Sequence, residues 1–345
     1  MTDEPPAFLM RESRPSDHRI LLSLARELDS INLPAEPREL TCLLERSQRS
    51  FRGRIRNRAA SVYVFCAEEL VRHRVVGASM IIGKHGTPES PHFYLEVGSD
   101  ERYSHTLKKM FRHSYLRLRH SMDGPTELGG LIVKRTMRRR PERIGRQLSW
   151  VRFLYLALHP ERFEPRALAE MLPPTTPGHG NLFWDHYGRR VTGLSFREAD
   201  RLSIHDKEFI QALFPDSPLY TFLLPEEVRN ALGQVGEGSR GAATLLEQAG
   251  MRFLEQIDPF DAGPYYGAAL TDLEPVRHFR TLRAVGGVPD PERCQDSLVA
   301  REDDDGFRAV RAFSCLEGAN LVVERAVLQA LKIHDRALVS VVPLP

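Results

Sequence analysis

An apolar run, a basic bend and a second, longer apolar segment constrain the fold of this chain more than any other stretch. Residues 128–133 ("LGGLIV") have the length and composition of a strand. After the bend, residues 151–158 ("VRFLYLAL") continue a region long enough for a helix of about fifteen residues. Strands that feed helices in this way are typical of a sheet covered by helices. The sequence therefore predicts an α/β (α+β) fold with a sheet flanked by helices.

The bend carries seven basic residues within positions 134–146. Three interpretations stay open on these residues: a phosphate site, a nucleic-acid surface and a solvated loop. Non-specific nucleic-acid surfaces usually interleave aromatic side chains for base stacking, and Trp150 is the only aromatic residue in 134–150. The formal net charge of the 345-residue chain is only +2. The positive charge is thus local and does not favour a general nucleic-acid or membrane-surface binder.

Composition points to an ordinary globular protein, with 41% hydrophobic and 27% charged residues. No apolar run approaches the roughly 18 residues of a membrane span, and "MTDEPPAF" has no signal-peptide pattern, so we expect a cytoplasmic protein. No H-E-x-x-H or comparable ligand spacing is present, and we expect no metal. Without a C-x-x-C pair, four cysteines are predicted to be reduced thiols: Cys42, Cys66, Cys294 and Cys315.

Hydrophobic spacing predicts the elements of the first half. Helical spacing indicates helices within 14–30 and 33–51. The segment 105–122 ("HTLKKMFRHSYLRLRHSM") predicts a basic amphipathic helix, because five apolar residues recur at helical spacing: Leu107, Met110, Phe111, Tyr115 and Leu118. Four stretches are typical of strands: 8–12 ("FLMRE"), 61–69 ("SVYVFCAEE"), 75–83 ("VVGASMIIG") and 92–98 ("HFYLEVG").

The second half is predicted to continue with a strand at 166–172 and a loop at 173–181 ("PPTTPGHGN"). The segments 182–191 ("LFWDHYGRRV") and 244–257 ("TLLEQAGMRFLEQI") each indicate a helix that ends at a glycine and is followed by a strand. A Gly/Pro/Asp-rich linker at 286–297 precedes three short strands and one short helix. These patterns predict three units: a helix-covered sheet domain, a second α/β portion and a small β-rich C-terminal subdomain, at 8–195, 196–285 and 286–345.

The bend has the chemistry of a phosphate site. A helix start offers free N–H groups and a positive dipole end to an anion, and Gly145 lets the backbone approach a ligand closely. Neither a Walker spacing nor G-x-G-x-x-G occurs there. The segment 140–149 ("RPERIGRQLS") is instead spaced like R-x-x-G-x-G, with Arg143 where the first glycine would stand.

That segment resembles the loop of GNAT-type acyl-CoA N-acyltransferases, which holds the coenzyme A pyrophosphate. Further segments make the likeness more specific: "INLPAE" (31–36), "FWDHYGRR" (183–190), "LLEQAGMRF" (245–253) and "IDPFDAGP" (257–264). With them the chain resembles the arginine N-succinyltransferase family over roughly 8–340. The resemblance implies a GNAT-like mixed twisted sheet, succinyl-CoA as co-substrate, an amino-acid acceptor such as arginine, no permanently bound cofactor, and a homo- or hetero-oligomer. It also implies that 8–195 is the acyl-CoA-binding domain and that 196–285 completes the acceptor site.

The same resemblance implies functional residues. The coenzyme would contact the strand and bend at Leu131, Ile132, Val133, Arg140, Arg143, Gly145 and Arg146. The acceptor would contact Glu170, Trp184, Gln234, Asp258 and Asp261. Trp184 also fits a core position, and the two aspartates also fit a turn. Glu170 and the loop residue His179 are the candidate catalytic residues.

The chain departs from the family pattern near the acceptor. Gly236 stands where the family has a proton-donating histidine, and Leu172 and Pro173 replace an arginine and a glycine. Glycine cannot transfer a proton, and general acid–base help is typically worth 10²–10⁴-fold in rate. The alternative is therefore a catalytically weakened partner or regulatory subunit of a hetero-oligomeric succinyltransferase.

Overall fold

The computed structural model describes residues 6–28, 33–174, 181–204, 206–290 and 292–345. Its helices are α1 (His18–Leu28), α2 (Pro37–Phe51), α3 (Ile144–Leu158), α4 (Leu182–His186), α5 (Gly188–Thr192), α6 (Phe196–Ser203), α7 (Glu208–Leu213), α8 (Glu226–Ala231), α9 (Arg240–Gln248), α10 (Glu274–Arg277) and α11 (Arg325–Leu331).

The strands form one sheet in the described part of the chain. They are β1 (Phe8–Glu12), β2 (Val62–Glu69), β3 (Arg74–Ile82), β4 (His92–Ser104), β5 (Lys109–Ser121), β6 (Thr126–Val133), β7 (Arg166–Glu170), β8 (Leu219–Tyr220), β9 (Arg252–Ile257), β10 (Pro264–Ala269), β11 (Arg280–Gly286), β12 (Gln295–Asp303), β13 (Gly306–Glu317), β14 (Asn320–Val323) and β15 (Leu338–Pro343). Their order is β12-β15-β11-β14-β13-β1-β2-β3-β6-β7-β10-β9-β4-β5-β8. The predicted α/β (α+β) class, a mixed sheet with helices, is confirmed.

The first half of the chain covers both faces of the sheet with helices. Side chains alternate along β2, so Val62 and Val64 pack with α1 and α2, whereas Tyr63 and Phe65 pack with α3. The α2 helix begins where Glu36 accepts the N–H groups of Arg38 and Glu39. Burial on both faces explains why β2 reads as a continuous apolar run.

Strands β6 and β7 diverge, and this divergence positions the site. They run parallel but pair only at Thr126 with Ala167 and Glu127 with Leu168. Beyond these pairs β6 has a register shift against β3, and Gly130 within it has φ of +59°. This left-handed conformation favours glycine. The edge of β6 that faces β7 is therefore free of strand pairing near Gly130 and Leu131.

The remaining strands extend the sheet in two directions. On one side β10, β9 and the long β4–β5 hairpin follow β7, and α4 to α8 pack over them around Trp184. On the other side β11, β14, β13, β12 and β15 pair in a closed ring. Strand β11 lies before residue 286 yet belongs to this small barrel. The three predicted domain ranges stay a prediction.

Several predicted elements are confirmed, among them the strand at 8–12, the helix after the bend and the strand at 252–257. Three predictions are wrong. Residues 109–121 form strand β5, because they pair along their whole length with β4. In 182–191, Gly188 opens helix α5, and the next element is another helix. The predicted linker contains the start of β12, which pairs with β13 and β15. Among the described residues no helix is long and apolar enough to cross a membrane.

Candidate active site

A cavity of about 440 Å³ opens where β6 and β7 separate. Its walls come from the β6 segment around Gly129 and Leu131, the end of β7 at Glu170, the β9–β10 turn, and side chains of α3, α6 and α9. Cavities at points where parallel strands separate are common ligand sites in α/β sheets. The position makes the cavity the candidate active site.

Three carboxylates meet in the cavity wall. Oxygen atoms of Glu170, Asp258 and Asp261 lie within 4.8 Å of one another. The β9–β10 turn holds the aspartates: Asp258 accepts the N–H groups of Phe260 and Asp261 at 2.7 and 3.0 Å. The Tyr265 hydroxyl donates to the other oxygen of Asp258 at 3.0 Å. The turn predicted for these aspartates is therefore present, and their contact with a ligand stays a prediction.

The charge of this carboxylate trio is strongly perturbed. Burial, followed by repulsion from Asp258 and Asp261, raises the pKa of Glu170 well above its ordinary value. Burial and then Asp258 do the same to the pKa of Asp261. Burial also lowers the pKa of nearby Lys207, against the attraction of Asp258. An organic cation that enters the trio would relieve the repulsion. The spacing also suits a metal ion; the expected absence of a metal stays a prediction.

A second group of polar side chains lies where β6 and β7 are still paired, at the edge of the cavity. Nδ1 of His85 is 2.7 Å from Oε2 of Glu127, the residue at the last β6–β7 pair. The His92 ring packs edge-on against His85, with ring centroids 4.5 Å apart. Burial, followed by His85, lowers the pKa of His92 well below its ordinary value. His92 is therefore neutral at physiological pH, and His85 and Glu127 lie within ion-pair distance of each other on this wall.

Helix α3 contributes one buried cation to the cavity. Arg152 is only 2% exposed, and it lines the cavity beside Gly129. Its guanidinium donates to Oγ of Ser149 at 3.0 Å, the Ser149 carbonyl at 3.4 Å and the Gly129 carbonyl at 3.5 Å. Burial lowers its pKa to about 9. The guanidinium is still charged at neutral pH.

The basic bend meets the start of α3 outside this cavity. Arg143 is the residue before the helix and has φ of 51° and ψ of 53°, a left-handed conformation that costs a non-glycine residue roughly 1–2 kcal/mol. No side chain caps the first turn. A Cβ on Gly145 would meet only a Val133 methyl at 3.8 Å, so this face of the backbone is open. Burial, then Arg143, lowers the pKa of the adjacent Arg146.

Arg140 is placed by weak contacts in the same bend. Its side chain is 41% exposed, 3.8 Å from Glu69 and 3.5 Å from Glu142. Neither distance is that of a tight hydrogen bond. The side chain is therefore available to an anion that approaches the helix start.

The structure brings some of the predicted site residues together and separates others. Leu131, Glu170, Asp258 and Asp261 line one cavity. Ile132 and Val133 point into the cores on the two faces of the sheet. Trp184 lies in a separate core, where it stacks on Phe260 at 5.0 Å and donates from Nε1 to the Leu194 carbonyl. Gln234 is exposed on the turn after α8, away from the cavity lining. His179 lies outside the described residues.

Gly236 is enclosed by the segment that follows β7. Its N–H donates to the Leu172 carbonyl at 2.9 Å. A Cβ at this position would lie 2.4 Å from the Pro173 carbonyl oxygen and 3.0 Å from that of Leu172. The departures at 172, 173 and 236 are therefore one packed unit, with no room for a side chain at 236.

Sequence analysis missed Arg152, Lys207, His85, Glu127 and Tyr265. The sequence does mark Arg152 as unusual, because it is the one charged residue in the apolar segment 148–158. The others come from separate elements and have no shared local pattern.

Comparison with known proteins identifies the family of the chain. A sequence model described as AstA, arginine N-succinyltransferase beta subunit, matches residues 8–275. The chain belongs to the arginine N-succinyltransferase family. It is 31% identical to an arginine N-succinyltransferase of Citrobacter koseri over 314 residues, which are 91% of this chain and 90% of the relative. It is 29% identical to one of Shigella boydii over 98% of both chains.

The fold agrees with a solved structure titled arginine/ornithine succinyltransferase subunit AI from Pseudomonas aeruginosa. The TM-score is 0.81 over 99% of each chain, with 23% sequence identity. The family predicted from the sequence is confirmed, and with it the acyltransferase class. The arginine N-succinyltransferase relatives match over nearly their full length, which does not favour the alternative of a weakened partner subunit.

Proposed function

We propose that the chain transfers the acyl group of succinyl-CoA to the α-amine of arginine and releases N2-succinylarginine and CoA. The observation that carries this proposal is the separation of β6 from β7: a cavity with three carboxylates opens there, and β6 continues along the chain into the cationic bend before α3. Family membership supports the same chemistry. Acyl-CoA is a co-substrate here, and no cofactor is permanently bound.

The donor would bind along β6. Arg140, Arg143 and Arg146 surround the start of α3, where an incoming pyrophosphate would meet cations and free backbone N–H groups. The pantetheine arm can pair with the β6 edge near Leu131, because β7 has diverged from it. The thioester would then reach the cavity.

The acceptor would bind at the carboxylate trio. A guanidinium or ammonium group suits Glu170, Asp258 and Asp261, because the carboxylates lie close together and repel one another, which helps to raise the pKa of Glu170 and Asp261. The amine nitrogen attacks the thioester carbonyl, the carbon–sulfur bond breaks, and the sulfur takes a proton. Glu170 can take the proton that the amine loses when it is in its carboxylate form, which a cationic acceptor beside it favours. A thiolate, with a pKa of about 8.5, can leave without a dedicated acid.

Calorimetry and thiol release together test the proposal. We expect the protein to bind CoA and succinyl-CoA, and to release thiol from succinyl-CoA when arginine or ornithine is added. Compounds that lack an amine serve as control acceptors. Binding of CoA without thiol release for any acceptor would instead indicate the partner-subunit alternative. No heat with CoA at millimolar concentration would refute the whole proposal.

Two accompanying proposals concern the protein's setting. We propose that it works in the cytoplasm, since both substrates are intracellular metabolites, and that it assembles with copies of itself or with a related chain. Light scattering on the purified chain tests the assembly: a monomer at micromolar concentration, alone and with its substrates, would contradict it.

A further inference from the structure

Arg152 is a buried charge for which the described residues provide no counter-ion. Its three acceptors, two on Ser149 and one on Gly129, are all neutral. No carboxylate of the described chain pairs with it, and burial is the only influence on its pKa. A guanidinium has five N–H donors, so donors remain for a ligand.

Packing does not explain this residue. The neighbouring positions Val151, Phe153 and Leu154 are apolar and fully buried. Burial of an unpaired charge is destabilising, whereas an aliphatic side chain at this point in the helix would pack without that cost. A charge retained at such a place indicates a function, and its place in the cavity wall indicates a ligand.

The ligand that a guanidinium recognises best is a carboxylate or a phosphate, because its planar fork can donate two parallel hydrogen bonds. The proposed reaction brings two carboxylates into the cavity: the distal one of the acyl group and the one of the acceptor. Arg152 contacts Gly129 on β6, the strand proposed to carry the thioester. The carboxylate trio lies on another part of the wall, since Glu170 ends β7 and the two aspartates lie in the β9–β10 turn, whereas Arg152 projects from α3.

We propose that Arg152 binds the distal carboxylate of the acyl group and thereby selects short dicarboxylic acyl-CoA donors over monocarboxylic ones. The inference rests on the proposed function for its substrate and assigns acyl specificity to a single residue of α3. Opposite charges then separate the two substrates: the anionic acyl end lies at Arg152 and the cationic acceptor at Glu170 and Asp258.

Two acyl-CoA substrates, succinyl-CoA and butyryl-CoA, test this role. Butyryl-CoA has a methyl group where succinyl-CoA has its distal carboxylate, with the same carbon chain length. Arg152→Met should lower kcat/KM for succinyl-CoA about 100-fold and leave that for butyryl-CoA within about threefold. Arg152→Lys keeps the charge but loses the fork, so its loss should lie between wild type and Arg152→Met. An unchanged donor preference in Arg152→Met would overturn the proposal.

A pair of acceptors distinguishes the two carboxylates. Agmatine is arginine without its carboxylate. The preference of the enzyme for arginine over agmatine should be the same in wild type and in Arg152→Met. If that preference disappears while the donor preference stays, Arg152 binds the acceptor and the proposal is wrong.

Unfolding midpoints, measured with and without a free dicarboxylate, test the same site without relying on enzyme turnover. Arg152→Met removes an unpaired buried charge, so its unfolding midpoint should be equal to or higher than that of wild type. Succinate at millimolar concentration should raise the midpoint of wild type, butyrate should not, and Arg152→Met should respond to neither. With this pattern but no CoA binding, the anion site stands and the proposed function fails. With CoA binding but no difference between succinate and butyrate, the site assignment fails.

Discussion

The enclosed position of Gly236 gives a sharp test of how the acceptor side is packed. In Gly236→Ala the new methyl would lie 2.4 Å from the Pro173 carbonyl oxygen and 2.8 Å from its carbon, both backbone atoms that cannot rotate away. The backbone itself is not the obstacle, because Gly236 has φ of −63° and ψ of 152°, which any residue adopts. The effect must therefore come from the contact.

The expected magnitude combines three contributions. Overpacking typically costs 1–3 kcal/mol. Moving the segment away would also weaken the hydrogen bond from Gly236 N–H to the Leu172 carbonyl, worth about 0.5–1.5 kcal/mol. The lower entropy of the unfolded alanine chain offsets about 0.4–1 kcal/mol. We expect Gly236→Ala to lower the free energy of unfolding by about 2 kcal/mol.

Gly238→Ala is the matched control, since no atom lies within 4 Å of a Cβ placed there. It should leave the free energy of unfolding unchanged or raise it slightly. Denaturant titration measures both variants, with the midpoint compared at a constant slope. Equal stability of Gly236→Ala, Gly238→Ala and wild type would refute the packing argument. If the packing argument holds, Gly236→His should be less stable than Gly236→Ala, because its side chain is larger. That substitution would therefore not by itself restore a proton donor.

Two other predictions concern the donor and acceptor groups. Arg140→Ala should weaken CoA binding by about 1.5–3 kcal/mol in calorimetry. Arg72→Ala, which removes another partner of Glu69 at 3.8 Å, should not; equal losses would mean that Glu69 mediates the effect. The raised pKa of Glu170 and Asp261 means that the folded state holds protons that the unfolded chain releases above about pH 4.3. Their contribution to the free energy of unfolding is present below that pH and is lost as the pH rises through the raised pKa values of the folded state. Because Glu170→Gln removes one of these groups, its free energy of unfolding should fall less than that of wild type between acidic and neutral pH. Identical pH profiles would contradict this account.

The strands and helices of the first half were predictable because each has a buried face with a regular period. Strand β5 of the β4–β5 hairpin was not. Leu107 and Met110, which supplied the helical spacing, are each 61% exposed at its tip. A strand with little buried surface on either face has no alternating pattern, and only its pairing with β4 defines it.

The residues of the candidate site also fall into a predictable and an unpredictable group. Residues carried by one continuous segment, such as Asp258 and Asp261 in a single turn, were predicted from that segment. Arg152 and His85 become neighbours of the cavity only after β3, β6 and α3 have packed, and no local spacing encodes that arrangement. The closed barrel was missed in part because β12 begins within a run rich in Gly, Pro and Asp.

Strand β1 has a consequence for biosynthesis. One edge pairs with β2 soon after it emerges, but the other pairs with β13, where Leu9 faces Val310. These partners are roughly 300 residues apart, so at a translation rate of about 5–20 residues per second that edge stays unsatisfied for roughly 15–60 s. An open edge can recruit strands from other nascent chains. Slower elongation late in the message should therefore increase aggregation more than the same delay placed before residue 60.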